Sequence, residues 1–324
     1  MPCTWSYNAV FQNGGSDQNA LSSPHTPVAH ASSGHPAWLR AAPFIFLVLW
    51  SGGFIALKFG LAYADPLTFL ALRYLLVVLL LALPFAILRP PLPATRSAWI
   101  NLAVVALLVQ AGYFAFTYLS LALGMSAGVV AVITSQQPIL VGLLAPLTVG
   151  ERVDRKRWAG LVLGVAGAVI VILSRTSSLA LTGPSLLCAV LAVFCMTGGT
   201  LWERRHGVDI HPLTSNIVQY GVGFLATAPL ALALEPMRIE WTSGMFWSLA
   251  YLIVCNSLIS ITLLLAMVRR GEASRVSALF FLVPPTAAVF AWHFLDEPLP
   301  LMAWPGMALT AAGIYLVMKK SRAT

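Results

Sequence analysis

The sequence predicts an all-α polytopic membrane protein, with ten transmembrane helices arranged as two inverted five-helix repeats. Three observations lead there: an apolar composition, a one-sided distribution of cations, and a repeat at constant spacing. Of the 324 residues, 59% are hydrophobic and 9% are charged, and the mean hydropathy is +0.84. A soluble domain carries roughly 25% charged residues, so this chain could not solvate its own surface. The net charge of +8 would suggest nucleic acid in a soluble protein. Here the cations fall between apolar runs, as in loops facing anionic lipid and cytoplasm. The partners implied are the lipid bilayer and a small-molecule substrate, not nucleic acid.

Taken in order, residues 1–36 are rich in Ser, Gly, Asn, His and Pro and lack the basic and apolar regions of a signal peptide. They are expected to form a disordered cytoplasmic tail that is not cleaved. Ten apolar runs come next, near the ~20 residues needed to cross a bilayer. They are 43–61, 66–88, 98–119, 126–149, 158–173, 184–201, 214–234, 245–267, 276–295 and 302–318. The first five make one module, 43–175, and the last five a second, 184–320. Connections are too short to hold a soluble domain. Cys3, Cys188, Cys195 and Cys255 show no CxxC spacing and read as packing residues. His25, His30 and His35 recur every five residues in the tail and read as a bland polar stretch. No metal or cofactor is expected.

The cations set the orientation. With the N-terminus inside, fifteen of the nineteen Lys and Arg residues fall in cytoplasmic segments, three outside, and Arg73 within a span. That split places both termini in the cytoplasm, and the expected location is a bacterial inner membrane.

The two modules align at an offset of 146. Ser51-Gly52-Gly53 faces Thr197-Gly198-Gly199, Pro66-Leu67-Thr68 faces Pro212-Leu213-Thr214, and Tyr74 faces Tyr220. Pro138 faces Pro284, and Glu151, Trp158, Gly160 and Gly167 face Glu297, Trp304, Gly306 and Gly313. Each half has an odd number of spans, so the second must be upside down relative to the first. Glu151 accordingly heads a cation-rich loop, whereas Glu297 lies in DEPLPLMAW with no cation. Inverted repeats are the architecture of alternating access, with a site at their interface facing each side in turn.

Several stretches carry a family resemblance: LWSGGFIALKFG (49–60), the Pro-Leu-Thr to Arg73-Tyr74 segment, SLALGMSAGVVAVITSQQP leading to Glu151, and SRVSALFFLVPPTAAVFAWHFLDE. They resemble the paired EamA modules of the drug/metabolite transporter superfamily. The resemblance covers residues 43–320. It implies a ten-helix inner-membrane carrier, often a metabolite or amino-acid exporter, with its pocket between the halves.

Polar side chains near the span centres are the candidate substrate contacts: Ser51, Gln110, Tyr113, Gln136, Gln137, Asn256 and Ser257, with Trp50 and Tyr220 adding aromatic surface. Intramembrane polar groups face the bundle interior or a cavity, or else bond neighbouring helices for ~0.6 kcal/mol each. Four carboxamides at one depth favour the cavity. Pro138 lacks an N–H, so it frees a carbonyl one turn back and makes a kink. Pro284, in Leu282-Val283-Pro284-Pro285, retains that kink in the second module. Gln136 and Gln137 point about 100° apart on a helix. Gln137 is the expected cargo contact and Gln136 the one packed on a neighbour.

Arg73 either snorkels outward or faces inward, where it could hold a substrate carboxylate; its counterpart Gln219 is neutral. Lys58 reads as interfacial. None of the eleven Asp and Glu residues lies near a span centre, which argues against proton-coupled export of cations. Sugar-phosphate exchange would want several midplane cations. Gly124-Met125-Ser126-Ala127-Gly128 matches G-x-S-x-G, but its repeat partners Glu272 and Ser274 do not share it, and it reads as a tight loop rather than a nucleophile turn. No catalytic residue is expected. The function expected is export of a small polar or amphipathic metabolite, such as an amino acid, by a monomer or weak homodimer. The alternatives are flipping of an amphiphile or lipid-linked substrate, and a membrane scaffold or sensor.

Overall fold

The computed structural model describes residues 37–149, 155–174, 182–208, 210–260, 262–263, 267 and 282–318. Among these residues every regular element is helical, and the only β-type pairing is an isolated bridge between Ala64 and Ile239. The chain runs through α1 (Ala37–Gly60), α2 (Pro66–Leu88) and α3 (Arg96–Ala106), then through a π-helical segment, π1 (Leu107–Tyr113), into α4 (Phe114–Ala122). It continues as α5 (Ala127–Thr134), α6 (Gln137–Val149), α7 (Arg155–Ser174), α8 (Gly183–His206) and α9 (Pro212–Leu234). Last come α10 (Ser243–Ala250), a second π segment, π2 (Tyr251–Ser260), α11 (Val283–Leu295) and α12 (Ala303–Met318).

Seven helical stretches among the described residues are long and apolar enough to cross a membrane, including the continuous 27-residue run Arg96–Ala122. Unlike a soluble protein, the bundle has an apolar exterior as well as an apolar core. On α2, Leu79, Leu83 and Ile87 are exposed while Thr68 and Arg73 are buried. An apolar exterior costs nothing in lipid, whereas the polar groups must find partners inside. This is a multi-pass membrane protein.

Helix ends are fixed by side chains. Thr95, Ser126, Thr182 and Thr242 cap α3, α5, α8 and α10, each accepting from the backbone N–H three residues on. The N-terminus of α2 is capped from a distance. Glu235 accepts from the N–H groups of Leu67 and Thr68 and from the Thr68 hydroxyl, all at 2.8 Å. A carboxylate suits that position because the first-turn donors are unpaired and the helix dipole is positive there. Asp65 accepts from Arg238 N–H at 2.7 Å and completes the clamp.

The expected run 126–149 is interrupted. The N–H of Gln136 bonds the carbonyl of Ile133 at 3.0 Å, a tighter turn than α-helix, and α6 starts afresh at Gln137. Pro138 cannot donate back to that turn, so the break falls one step before it. Pro284 sits in the first turn of α11; residues 276–281, which precede it in the expected ninth span, lie outside the described residues. So do the tail and the loop containing Glu151.

Two close pairings organise the bundle: α2 lies along α9, and α7 along α12. Between α7 and α12 the contact is backbone to backbone. A Cβ on Gly167 would meet the carbonyl of Gly306 at 2.5 Å, and one on Gly306 would meet the carbonyl of Gly167 at 2.8 Å. Such small-residue seams let membrane helices pack without a hydrophobic driving force. Helix α1 packs on π2, α10 and α11, and α8 packs on π1, α4 and α6.

Candidate functional site

Both stretches expected as plain helices around residues 110 and 256 are wound as π-helix. At the end of π1, the N–H of Phe114 reaches the carbonyl of Val109, five residues back. A π segment widens the turn, redirects the side chains it carries, and recurs at functional sites. Opposite π2, α1 carries the pair Gly52-Gly53. A Cβ on Gly52 would collide with the Tyr251 hydroxyl, and one on Gly53 with the Asn256 amide. The glycines therefore let π2 lie against α1, where Tyr251 donates to the Leu49 carbonyl at 3.2 Å and Ser248 donates to the Ala56 carbonyl.

A narrow, half-open cavity lies between these elements. Trp50, Gly53, Phe54 and Leu57 of α1 form one wall; Tyr113 of π1 with Phe114 and Thr117 of α4 form another; Leu252 and Asn256 of π2 and Arg73 of α2 complete it. Of the candidate contacts, Trp50, Tyr113, Asn256 and Arg73 are thus brought together.

Arg73 faces inward and is only 2% exposed. Its guanidinium donates to the Tyr118 hydroxyl at 3.1 Å and to Ser257 Oγ at 2.9 Å, and lies 5.1 Å from the centroid of the Phe114 ring. Its Nε has no hydrogen-bond partner. Snorkelling is not what this side chain does, because two hydroxyls and an aromatic face inside the bundle replace water. Ser257, buried beside it, accepts this bond but does not line the cavity.

The other candidates lie elsewhere. Tyr220 packs behind the cavity against Tyr74, ring centroids 5.6 Å apart, and Tyr74 donates to the Gln110 carbonyl at 2.6 Å. Gln110 is buried with its side-chain oxygen unpaired, and Ser51 is buried with an unpaired hydroxyl. Gln137 donates to Thr200 Oγ1 of α8 at 2.9 Å, and the buried Gln136 donates to the Val132 carbonyl at 3.1 Å. The four carboxamides therefore do not share one cavity. Their depth is legible in the chain but their azimuth is not, because the break at Ser135-Gln136 and the π segments rotate the residues beyond them.

Phe54, Leu57, Phe114, Thr117 and Leu252 are missing from the candidates that polarity at the span centres selects. The signal available for them is periodicity: 50, 54 and 57 share a helix face, as do 113 and 117.

Lys58 is not merely interfacial. Its ammonium pairs with Glu297 at 2.7 Å and donates to the Met125 carbonyl at 2.9 Å, while Glu297 also accepts from Ala127 N–H at 3.1 Å. The pair joins the ends of α1, α5 and α11, one residue beyond Leu57 of the cavity wall. Ser126 spends its oxygen on the N–H of Val129, and His293 is exposed between Trp292 and Phe294.

Residues 40–173 and again 183–319 match the EamA-like transporter family. The chain belongs to that family. An uncharacterized transporter of Bacillus subtilis (strain 168) is 28% identical over 279 residues, spanning 86% of this chain and 90% of its own. A Salmonella typhimurium protein named "probable amino-acid metabolite efflux pump" is 26% identical over 285 residues, spanning 84% and 92%. One solved crystal structure superposes with a TM-score of 0.59 at 16% identity, over 88% of this chain and 97% of that one. It shares the fold. Membership places this protein among drug/metabolite transporters.

Proposed function

We propose that this EamA-family transporter is a ten-span, alternating-access carrier that exports a small polar or amphipathic metabolite, such as an amino acid, across a bacterial cytoplasmic membrane. Its two modules, 43–175 and 184–320, are inverted copies with both termini cytoplasmic. The observation that carries the reading is contact between residues one repeat apart. Tyr74 and Tyr220 pack ring to ring, and Thr310 Oγ1 reaches the Gly164 carbonyl at 3.5 Å. In both pairs the partners are separated by the repeat offset of 146. A residue touches its own equivalent near a twofold axis, so both contacts support an axis relating the halves.

Two further features support it. The π segments fall at equivalent positions, since 107–113 maps within 251–260. The packing is reciprocal as well: α1 lies on π2 and α11, and its counterpart α8 lies on π1 and α6. Halves that can exchange conformations would expose a cavity first to one side and then to the other.

The cargo site within this reading is Trp50, Arg73, Tyr113 and Asn256, with Ser257 and Tyr220 behind Arg73. Ser51, Gln110, Gln136 and Gln137 support it from the surrounding helices, and Pro138 and Pro284 mark the flexible joints. None of the eleven Asp and Glu residues lies near a span centre, so facilitated movement or exchange is the mode proposed, not obligatory proton antiport.

The test is counterflow in liposomes holding the purified protein, loaded with pooled metabolites. A carrier gives uptake of labelled cargo that depends on unlabelled cargo inside. A scaffold or sensor moves nothing. Accumulation driven by a pH difference alone would remove the exchange mode.

A further inference from the structure

We propose that the cavity recognises its cargo by a carboxylate seated on Arg73, so that the transported species is a monocarboxylate with an apolar or aromatic tail. The proposal rests on the transport reading above and names its substrate class. A guanidinium in the membrane interior is costly and persists where it has partners or work. Among the described residues the partners of Arg73 are neutral: two hydroxyls and one ring. Neither ion pair seen among the described residues, Lys58 with Glu297 or Arg238 with Glu240, involves it.

A brace between α2, α4 and π2 would need only a neutral donor such as Gln, without the cost of burying a charge. What a guanidinium adds is a full positive charge and unused donors. It has five N–H groups; one at each terminal nitrogen is directed at a hydroxyl, and Nε is unpaired. Its planar fork matches a carboxylate in a way no other cation does.

The remaining lining selects the rest of the molecule. Trp50, Phe54, Leu57 and Phe114 offer apolar and aromatic surface, and Asn256 and Thr117 are neutral. Among the described residues Arg73 faces no anion, and such a cation is complemented by a monoanion. A dianion would keep one charge unmatched in a low-dielectric site, and a cation would be repelled. An amino group on the cargo is met only by neutral acceptors, so the carboxylate is the group that is read.

The experiment uses the purified full-length protein in nanodiscs and a matched trio with one skeleton: 3-phenylpropionate, 3-phenylpropionamide and 3-phenylpropylamine. Binding is measured by calorimetry, with the equivalent indolyl and branched aliphatic trios alongside. Because hydrogen bonds to a charged group are roughly twice as strong as neutral ones, the acid should bind about tenfold more tightly than the amide, with the amine weakest. In Arg73→Gln the acid and amide should become equal, and Arg73→Lys should keep part of the preference. The comparison on the parent protein stands even if the variants fail to fold. Equal binding of acid and amide by the parent overturns the proposal, as does failure of every acid to bind. Competition by inorganic phosphate as strong as that by the acid overturns the carboxylate assignment. The transport reading fails separately, if acids bind here but no solute crosses liposomes in counterflow.

Discussion

Gln137 and Asn256 carry the same functional group at a similar depth, yet one holds a neighbouring helix and the other walls the cavity. Their replacement by Leu should therefore separate them. Gln137→Leu loses one bond to Thr200, worth ~0.6 kcal/mol in a membrane; cargo affinity should stay within about twofold. Asn256→Leu removes a polar wall and should weaken binding of a polar cargo by roughly tenfold, about 1.4 kcal/mol, in the range for an unmade hydrogen bond in a dry site. Calorimetry on both variants at matched folded fractions checks this. Equal effects, or a larger effect at Gln137, would show that α6 turns its other face to the cavity when the carrier opens. Which residues are polar and central can be read from the chain. Which of them share a cavity cannot, because the residue inserted by a single π turn re-aims everything beyond it by about 100°.

The ends of α1, α5 and α11 are tied through Lys58 and Glu297, whose side chains are 21% and 5% exposed. Breaking a partly buried pair leaves one charge stranded, at a cost approaching the ~3–5 kcal/mol of a fully buried pair. If this tie closes the far side of the cavity, Lys58→Gln or Glu297→Gln should favour the opened form. A cysteine introduced at Thr117 in a chain without native cysteines should then react at least about tenfold faster with an impermeant maleimide added from that side, since ~1.4 kcal/mol is tenfold in a population. The double variant should recover thermal stability relative to either single change, because no charge is left alone, without recovering closure. Unchanged labelling in all three would make the pair a structural tie only. The opposite ends of the helices are not built alike. Where α2 is capped by Glu235, the equivalent position for α9 is Arg89, and the Thr214 hydroxyl turns instead to the Pro91 carbonyl at 3.1 Å.

For the molecule as a whole, the decisive property is which side each loop occupies. Reporter fusions after Arg205 and Arg322 should read cytoplasmic, and fusions after Ala64 and Pro300 should read the far side, as the cation asymmetry requires. A fusion after Arg155 should agree with Arg205 and oppose Pro300. If Arg155 and Pro300 report the same side, the second module is not inverted, and alternating access by exchange of the halves goes with it. Measured alkaline phosphatase and fluorescent-protein activities at these five sites would settle the point for the intact chain.

By itself the sequence determined that this chain lives in a bilayer as a bundle of helices, and which family it belongs to. Those properties come from composition and from a repeat spacing that survives in the order of residues, such as Pro66-Leu67-Thr68 against Pro212-Leu213-Thr214. Only the tertiary structure decided that Arg73 turns inward, that Lys58 reaches a partner 239 positions away, and that Gln137 belongs to α8's surface. The reason is physical. Lipid selects residues by polarity one position at a time, whereas an inward cation or a cavity wall depends on the rotation of each helix about its axis. That rotation is set jointly by breaks, π turns and glycine seams, where backbones of distant segments come into contact.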